Sequence, residues 1–341
     1  MKSIHENARQ LMRGYCRVCP RCDGKACAGE VPGMGGVGTA AAFKANLTAL
    51  DNLTFNMRLI HDVTDPDTTA SFLGMDLALP VLAAPIGGVS FNMGGKITEQ
   101  AYIEAIVHGC QAKGILGCTG DGVPDFIHES GFEAIRQAQG RGIPFIKPWE
   151  DHELFDKLQK AEQTGAKIVG MDIDAAGLIT LRKMGRPVAP KTLDALKEII
   201  NSTPMKFILK GVMTPDEAML AVEAGADAIV VSNHGGRVLD HTPGAARVLP
   251  GIVEQVKGKI AILVDGGVRT GGDVLKLVAL GADAVMIGRP FSIACVGGLQ
   301  QGVETYIDTI HGELKQTMVL TGTASMAKAT PAILNSQEAP C

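Results

Sequence analysis

No stretch of this chain concentrates lysine and arginine, and 32 basic residues against 36 acidic ones leave a formal charge of -4. A nucleic-acid backbone is therefore a poor partner, since binding one rests on clustered cations that neutralise phosphates. Residues 1–13 are polar and lack the apolar core of about 7–15 residues that a secretory leader carries. No run reaches the ~18 apolar residues of a membrane span. A soluble, cytoplasmic protein is the expectation. The sequence also has no low-complexity linker.

What is present is 46% hydrophobic residues and 42 glycines, the composition of a folded, loop-rich protein. A length of 341 residues suits two ordinary domains or one large α/β barrel. Of the 8 cysteines, Cys16, Cys19, Cys22 and Cys27 fall within twelve residues, which points to a metal rather than a disulfide framework. Cys110, Cys118 and Cys295 lie in apolar runs and read as small buried hydrophobes, while Cys341 is terminal and expected to be mobile.

From Val81 onward short apolar runs alternate with amphipathic stretches. Eight strands are predicted: Val81 to Pro85, Ile115 to Gly120, Pro144 to Pro148, Ile168 to Asp174, Phe207 to Gly211, Ala228 to Asn233, Ala261 to Gly267 and Ala284 to Gly288. Most are apolar throughout, as strands covered on both faces should be, and helices such as Asp151 to Gln163 and Pro215 to Ala224 follow them. Repeated βα units in this number predict a (β/α)₈ TIM barrel over 77–341, closed by a helix from Gly298 to Leu320; an open doubly wound sheet is the other arrangement considered. Residues 1–76 form an N-terminal extension with the cysteine cluster and a helical stretch, Ala40 to Arg58.

Polar residues recur where these strands end: Lys147, Asp172, Asp174, Lys210, His234, Asp265 and Arg289. In a barrel all strand ends share one mouth, and a charge there is costly unless paired or used. Ser232-Asn233-His234-Gly235-Gly236-Arg237 carries a base that titrates near neutrality three residues before a fixed cation, a combination suited to a small carboxylic acid. Val264 to Asp273 ends the seventh strand with Asp265-Gly266-Gly267, and Ile287-Gly288-Arg289-Pro290 ends the eighth. Together they describe a phosphate cradle, because glycines let backbone N–H groups approach an anion and helix N-termini add a favourable dipole.

These residues resemble the FMN-dependent α-hydroxy-acid oxidases and dehydrogenases, the family of glycolate oxidase, lactate oxidase and flavocytochrome-type lactate dehydrogenase. The resemblance runs from about Asn46 to Lys328 and is most specific at Leu209-Lys210-Gly211, Ser232 to Arg237, Val264 to Asp273 and Gly288-Arg289-Pro290. It implies FMN across the barrel mouth, contacted by Pro85, Ile86, Gly87, Thr119, Lys147, Asp172, Lys210, Ser232, His234, Asp265, Gly266, Gly267, Arg269, Gly288 and Arg289. By the same resemblance His234 is the base, Asp174 orients it, Arg237 binds the substrate carboxylate, and Lys210 faces the part of the ring where negative charge accumulates. Arg182 is the candidate for an additional substrate arginine. A homo-oligomer, often a tetramer, is implied as well.

The departures bear on the substrate. The family's two substrate-binding tyrosines fall at Pro32 or Gly33 and near Pro148, so both phenols are expected to be missing. Asp172 stands where a hydroxyl residue is expected, and Ile146 beside Lys147 where a glutamine is. Trp149 either covers the site or packs. Cys16-x₂-Cys19-x₂-Cys22-x₄-Cys27 resembles ferredoxin-type spacing for a [4Fe–4S] cluster with one extra residue in the last interval; zinc, or plain thiols, are the alternatives. The expected function is oxidation of a small 2-hydroxy acid to the 2-oxo acid, by a dehydrogenase rather than an oxidase, with an unidentified electron acceptor. An FMN-dependent isomerase resembling type 2 isopentenyl-diphosphate isomerase, and a flavin and metal redox sensor, are the competing expectations.

Overall fold

Strands buried on both faces need apolar side chains at every position, and the eight apolar runs form such strands. The computed structural model describes residues 1–186 and 188–336. In it Val81–Ile86, Leu116–Thr119, Ile143–Ile146, Ile168–Asp172, Lys206–Val212, Ala228–Val231, Ala261–Val264 and Ala284–Ile287 make a closed parallel barrel. Closure is direct: Val285 on the eighth strand pairs with Val81 on the first, and Ile287 with Ala83. The prediction of a TIM barrel therefore holds, with each strand inside or within a residue of its predicted run.

Alternate strand residues fill the two sides. Leu82, Leu116, Phe145, Ile208, Val230, Leu263 and Met286 meet inside the barrel, while Ala83, Ile146, Val169, Leu209, Val231 and Val264 pack outward on the helices. A hairpin, Ala70–Phe72 with Met75–Leu77, turns at Leu73 and Gly74, both with positive φ (48° and 84°) as a two-residue type I′ turn requires. It adds Phe72 and Leu77 to the interior cluster. The following Ala78 bonds to Gly114, just before the second strand, so the hairpin closes the N-terminal end and leaves the opposite end for chemistry.

Helices follow the strands, including Asp151–Glu162 and Pro215–Ala224 close to their predicted limits. Several begin at a threonine cap, with Thr98, Thr192, Thr214 and Thr270 each accepting an N–H from three residues on. Outside the barrel three expectations change. The helix predicted over Ala40 to Arg58 stops at Asp51, because Leu53–Phe55 pairs antiparallel with Leu334–Ser336. The polar N-terminus holds an unpredicted helix, Lys2–Leu11, which buries Ala8 and packs on the closing helix at Gly297. The closing helix itself spans Arg289–Thr321, broken at Leu299 (φ 48°, ψ -140°), so its first part precedes the predicted Gly298 start. Cys110, Cys118 and Cys295 are buried as expected; Cys341 lies outside the described residues. Among the described residues no helix is long and apolar enough to cross a membrane.

Candidate active site

A cavity of about 500 Å³ opens at the C-terminal ends of the barrel strands, within the size range of small-molecule sites. Of the predicted residues, Pro85, Ile86, Gly87, Lys147, Asp172, Lys210, His234, Arg237, Asp265, Gly266, Gly267, Arg269, Gly288 and Arg289 line it. Asp174, Ser232 and Thr119 stand behind this surface. Arg182 is exposed on the short helix Ile179–Lys183 and does not line the cavity, whereas Leu178, Leu181 and Met184 from the same region do. A spacing one residue off on a helix turns a side chain by about 100°, which is enough to take it from the mouth to solvent.

Local backbone sets the base. His234 sits in the left-handed region (φ 56°) and its N–H donates to Ser232 Oγ at 3.0 Å. Its Nδ1 lies 2.9 Å from Asp174 Oδ1. Gly211, after the end of the Lys210 pairing on the fifth strand, makes this possible: with φ 114°, a Cβ there would stand 2.6 Å from the Asp174 Cβ. Burial by itself would raise the Asp174 carboxyl, but the charges of His234 and Lys210 outweigh it and hold the group below the usual carboxylate range. A carboxylate at Nδ1 keeps the proton there and presents Nε2 as the basic nitrogen.

Lys210 is 3% exposed and pairs with Asp172 Oδ1 at 3.1 Å and, more distantly, with Asp174 Oδ2 at 3.9 Å. Burial works to lower its pKa, and the carboxylates of Asp172, Asp174 and Asp265 more than offset this, so the ammonium stays charged. Burial raises the Asp265 carboxyl against the pull of Lys210 and a hydrogen bond from Ser232.

Three guanidinium groups crowd the other side. Arg289 donates to the carbonyls of Met34, Gly35 and Gly235 and stacks 4.0 Å from the Phe43 ring centroid. Burial first, then the charges of Arg237 and Arg269, push it down to about 9. Arg237 donates to the carbonyls of Gly33 (2.6 Å) and Gly35 (3.1 Å) and to Asn92 Oδ1 (3.1 Å), and burial pushes it down to about 10. Neither has a carboxylate partner among the described residues, and Arg269 Nε is a buried donor with no partner there. Arginine does not give up its proton, so this cluster stabilises an anion placed against it. Beneath it, Thr270 and Asp273 form a capping box that opens the helix Gly271–Ala279 just after the Gly266-Gly267 turn. The cradle thus fits a phosphate-bearing cofactor.

Among the mouth residues that sequence reasoning missed are Tyr15, Met34, Asn92 and Asp121. Tyr15 lines the mouth from a position that alignment on the family pattern does not reach, while the family's two tyrosine positions hold no tyrosine, as expected. Asp121 lies two residues past Thr119, so the strand-end signal that singled out Asp172 would have found it. Its carboxylate accepts from Gly122 N, Lys147 N, Trp149 Nε1 (2.5 Å) and Lys157 Nζ (2.9 Å). Trp149 is buried between Lys157 and Arg186 and packs rather than covering the cavity.

The sequence pattern of FMN-dependent dehydrogenases matches residues 33–186 and 179–336. The chain belongs to that family. As a member of this family of α-hydroxy-acid oxidases and dehydrogenases it is a flavoprotein oxidoreductase that acts on CH–OH donors. It is 31% identical to 4-hydroxymandelate oxidase of Amycolatopsis orientalis, over 86% of this chain and 90% of that one. It is 30% identical to L-lactate oxidase of Lactobacillus jensenii, over 82% and 74%. A shorter region, 36% of this chain and 32% of the other, is 50% identical to L-lactate dehydrogenase of Xanthomonas campestris. Among solved structures, mandelate oxidase with benzoyl-formic acid superposes with a TM-score of 0.80 at 30% identity, covering 100% of this chain and 98% of that one.

Proposed function

We propose that this flavoenzyme oxidises a small 2-hydroxy acid to the corresponding 2-oxo acid, and that it does so as a dehydrogenase. The observation that carries the reading is the largely buried Asp174 carboxylate 2.9 Å from Nδ1 of His234, which lines the cavity, with Arg237 three residues further along the same loop. His234 takes the substrate hydroxyl proton on Nε2, and Asp174 stabilises the imidazolium that results. Arg237 has five N–H donors, and bonds to Gly33, Gly35 and Asn92 leave two to pair with the substrate carboxylate.

FMN, when bound, supplies the two-electron acceptor. Arg269, Arg289, Gly266, Gly267 and Gly288 would hold its phosphate, and Lys210 offers a fixed positive charge inside the barrel mouth. Met34, Phe91, Val123, Ile127, Leu181 and Met184 give the cavity an apolar wall that excludes water from the reacting atoms and favours an acid with an apolar side chain. Family membership favours this redox chemistry over the isomerase reading.

Mixing the purified holoenzyme anaerobically with a panel of 2-hydroxy acids tests the proposal. Bleaching of the flavin spectrum by at least one acid is expected, followed by slow recovery in air and rapid recovery with a one-electron acceptor. A spectrum unmoved by the whole panel would overturn the substrate class, and fast recovery in air would make the enzyme an oxidase.

A further inference from the structure

The four N-terminal cysteines converge although the mechanism above does not use them. Cys16, Cys19, Cys22 and Cys27 line one small cavity, each thiol partly buried and none in a disulfide. Two sulfurs already accept hydrogen bonds: the Val18 N–H reaches Cys16 Sγ at 3.4 Å, with Val18 in the left-handed region (φ 46°), and Arg269 Nη2 lies 3.5 Å from Cys22 Sγ. Donors aimed at sulfur stabilise thiolate, and they are among the features that tune iron–sulfur centres. Arg289 also lines this cavity, so the surroundings favour a group with net negative charge.

The sulfurs are not drawn together at the spacing that one zinc ion requires. Tetrahedral zinc at about 2.3 Å from each sulfur needs thiolates about 3.8 Å apart. Among the described residues no three of these sulfurs lie within 4.8 Å of one another. A cubane, with an iron at each of four corners, takes its thiolates further apart and from short intervals such as these. Met34 and Arg289 line both this cavity and the barrel-mouth cavity, so a single layer of side chains separates the two.

We propose that Cys16, Cys19, Cys22 and Cys27 hold a [4Fe–4S] cluster, next to the flavin site, that carries electrons out of the enzyme. The site stands on the cysteine geometry; the routing rests on the hydroxy-acid reading. Each substrate oxidised, RCH(OH)COO⁻ to RCOCOO⁻, releases two electrons and two protons. The cluster passes the electrons singly to two equivalents of an external one-electron carrier protein, and the protons go to water.

Anaerobically purified and iron- and sulfide-reconstituted holoenzyme tests this by iron, acid-labile sulfide, zinc and FMN content together with electron paramagnetic resonance after dithionite reduction. About four iron and four sulfide per chain and a reduced-cluster signal are expected. Cys16→Ser and Cys19→Ser should each lose iron and signal, keep FMN, keep substrate bleaching, and slow reduction of a one-electron acceptor at least tenfold. Wild-type protein with full FMN but no iron, or with one zinc per chain, overturns the cluster. Variants that lose iron yet reduce the acceptor at the wild-type rate overturn the routing. Bleaching without iron would sink the cluster and leave the hydroxy-acid reading standing, and iron without bleaching would do the reverse.

Discussion

Thr39 and Asp240, 201 residues apart, meet at one carboxylate oxygen: Asp240 Oδ2 accepts the Thr39 N–H at 2.6 Å and its hydroxyl at 2.8 Å. The other oxygen accepts the Ala42 N–H at 3.1 Å. The helix Ala41–Asp51 has Ala40 at its N-cap position with no side-chain cap, so Asp240 supplies the cap from the loop after the sixth strand. That contact ties the segment carrying Gly33, Met34 and Gly35 to the loop carrying His234 and Arg237. Val37 N–H to Gly236 O is a second tie, and at Gly236 (φ 77°) a Cβ would stand 2.4 Å from Phe43 N.

Asp240→Asn is expected to lower stability by about 1–2 kcal/mol, the range for a lost helix cap and charged hydrogen bonds, and to weaken FMN retention. Burial alone would raise the Asp240 carboxyl; the donors from Thr39, Ala42 and His241 hold it well below the usual range. Its contribution to stability is therefore complete above the ordinary aspartate pKa and is lost as pH falls through the depressed folded value. Thermal melts of both proteins across acid pH check this: the gap between them should shrink only on the acid side.

His234→Ala should keep FMN and the fold while slowing anaerobic flavin bleaching by about 10²–10⁴-fold. Asp174→Asn should retain the side chain's volume but lose the charge at 2.9 Å from Nδ1, with a fall in kcat larger than any rise in KM. Stopped-flow measurement of the reductive half-reaction reads both, and an unchanged rate in His234→Ala removes its role as base.

Lys210→Met leaves Asp172, Asp174 and Asp265 facing one another without the ammonium that pairs with them. Breaking a buried pair of this kind costs about 3–5 kcal/mol. A fall in Tm and loss of FMN are expected together, and the pH at which the remaining carboxyl groups take up protons should rise. Denaturant titration at neutral and acid pH measures it; stability that recovers as pH falls, relative to wild type, is the expected sign.

Among the described residues, Asp121→Ala removes the only acceptor for Trp149 Nε1 and leaves Lys157 buried with Glu153 as its remaining carboxylate partner. A loss of about 3–5 kcal/mol is expected, with a changed tryptophan emission. Because this chain has a single tryptophan, fluorescence reports on that network alone.

The barrel was legible in the chain because a strand covered on both faces must be apolar at every position, and eight such runs spaced by helices have few other ways to pack. The mouth residues were legible for a related reason: charges such as Asp172, Lys210, His234 and Asp265 placed where apolar strands end are costly unless they meet. The sequence by itself therefore determined the barrel, its functional end and most of the charged groups that line the cavity. Long-range pairings were decided only by the tertiary structure. Nothing near Asp240 marks it as the cap of a helix two hundred residues earlier, nothing near Tyr15 places its phenol at the mouth, and Leu53–Phe55 becomes a strand only because Leu334–Ser336 arrives beside it. Local spacing constrains neighbours within a turn or a strand, whereas contacts across the chain depend on how completed elements stack. For the same reason Arg182 reads as an active-site cation along the sequence and is a solvent-facing residue in the fold.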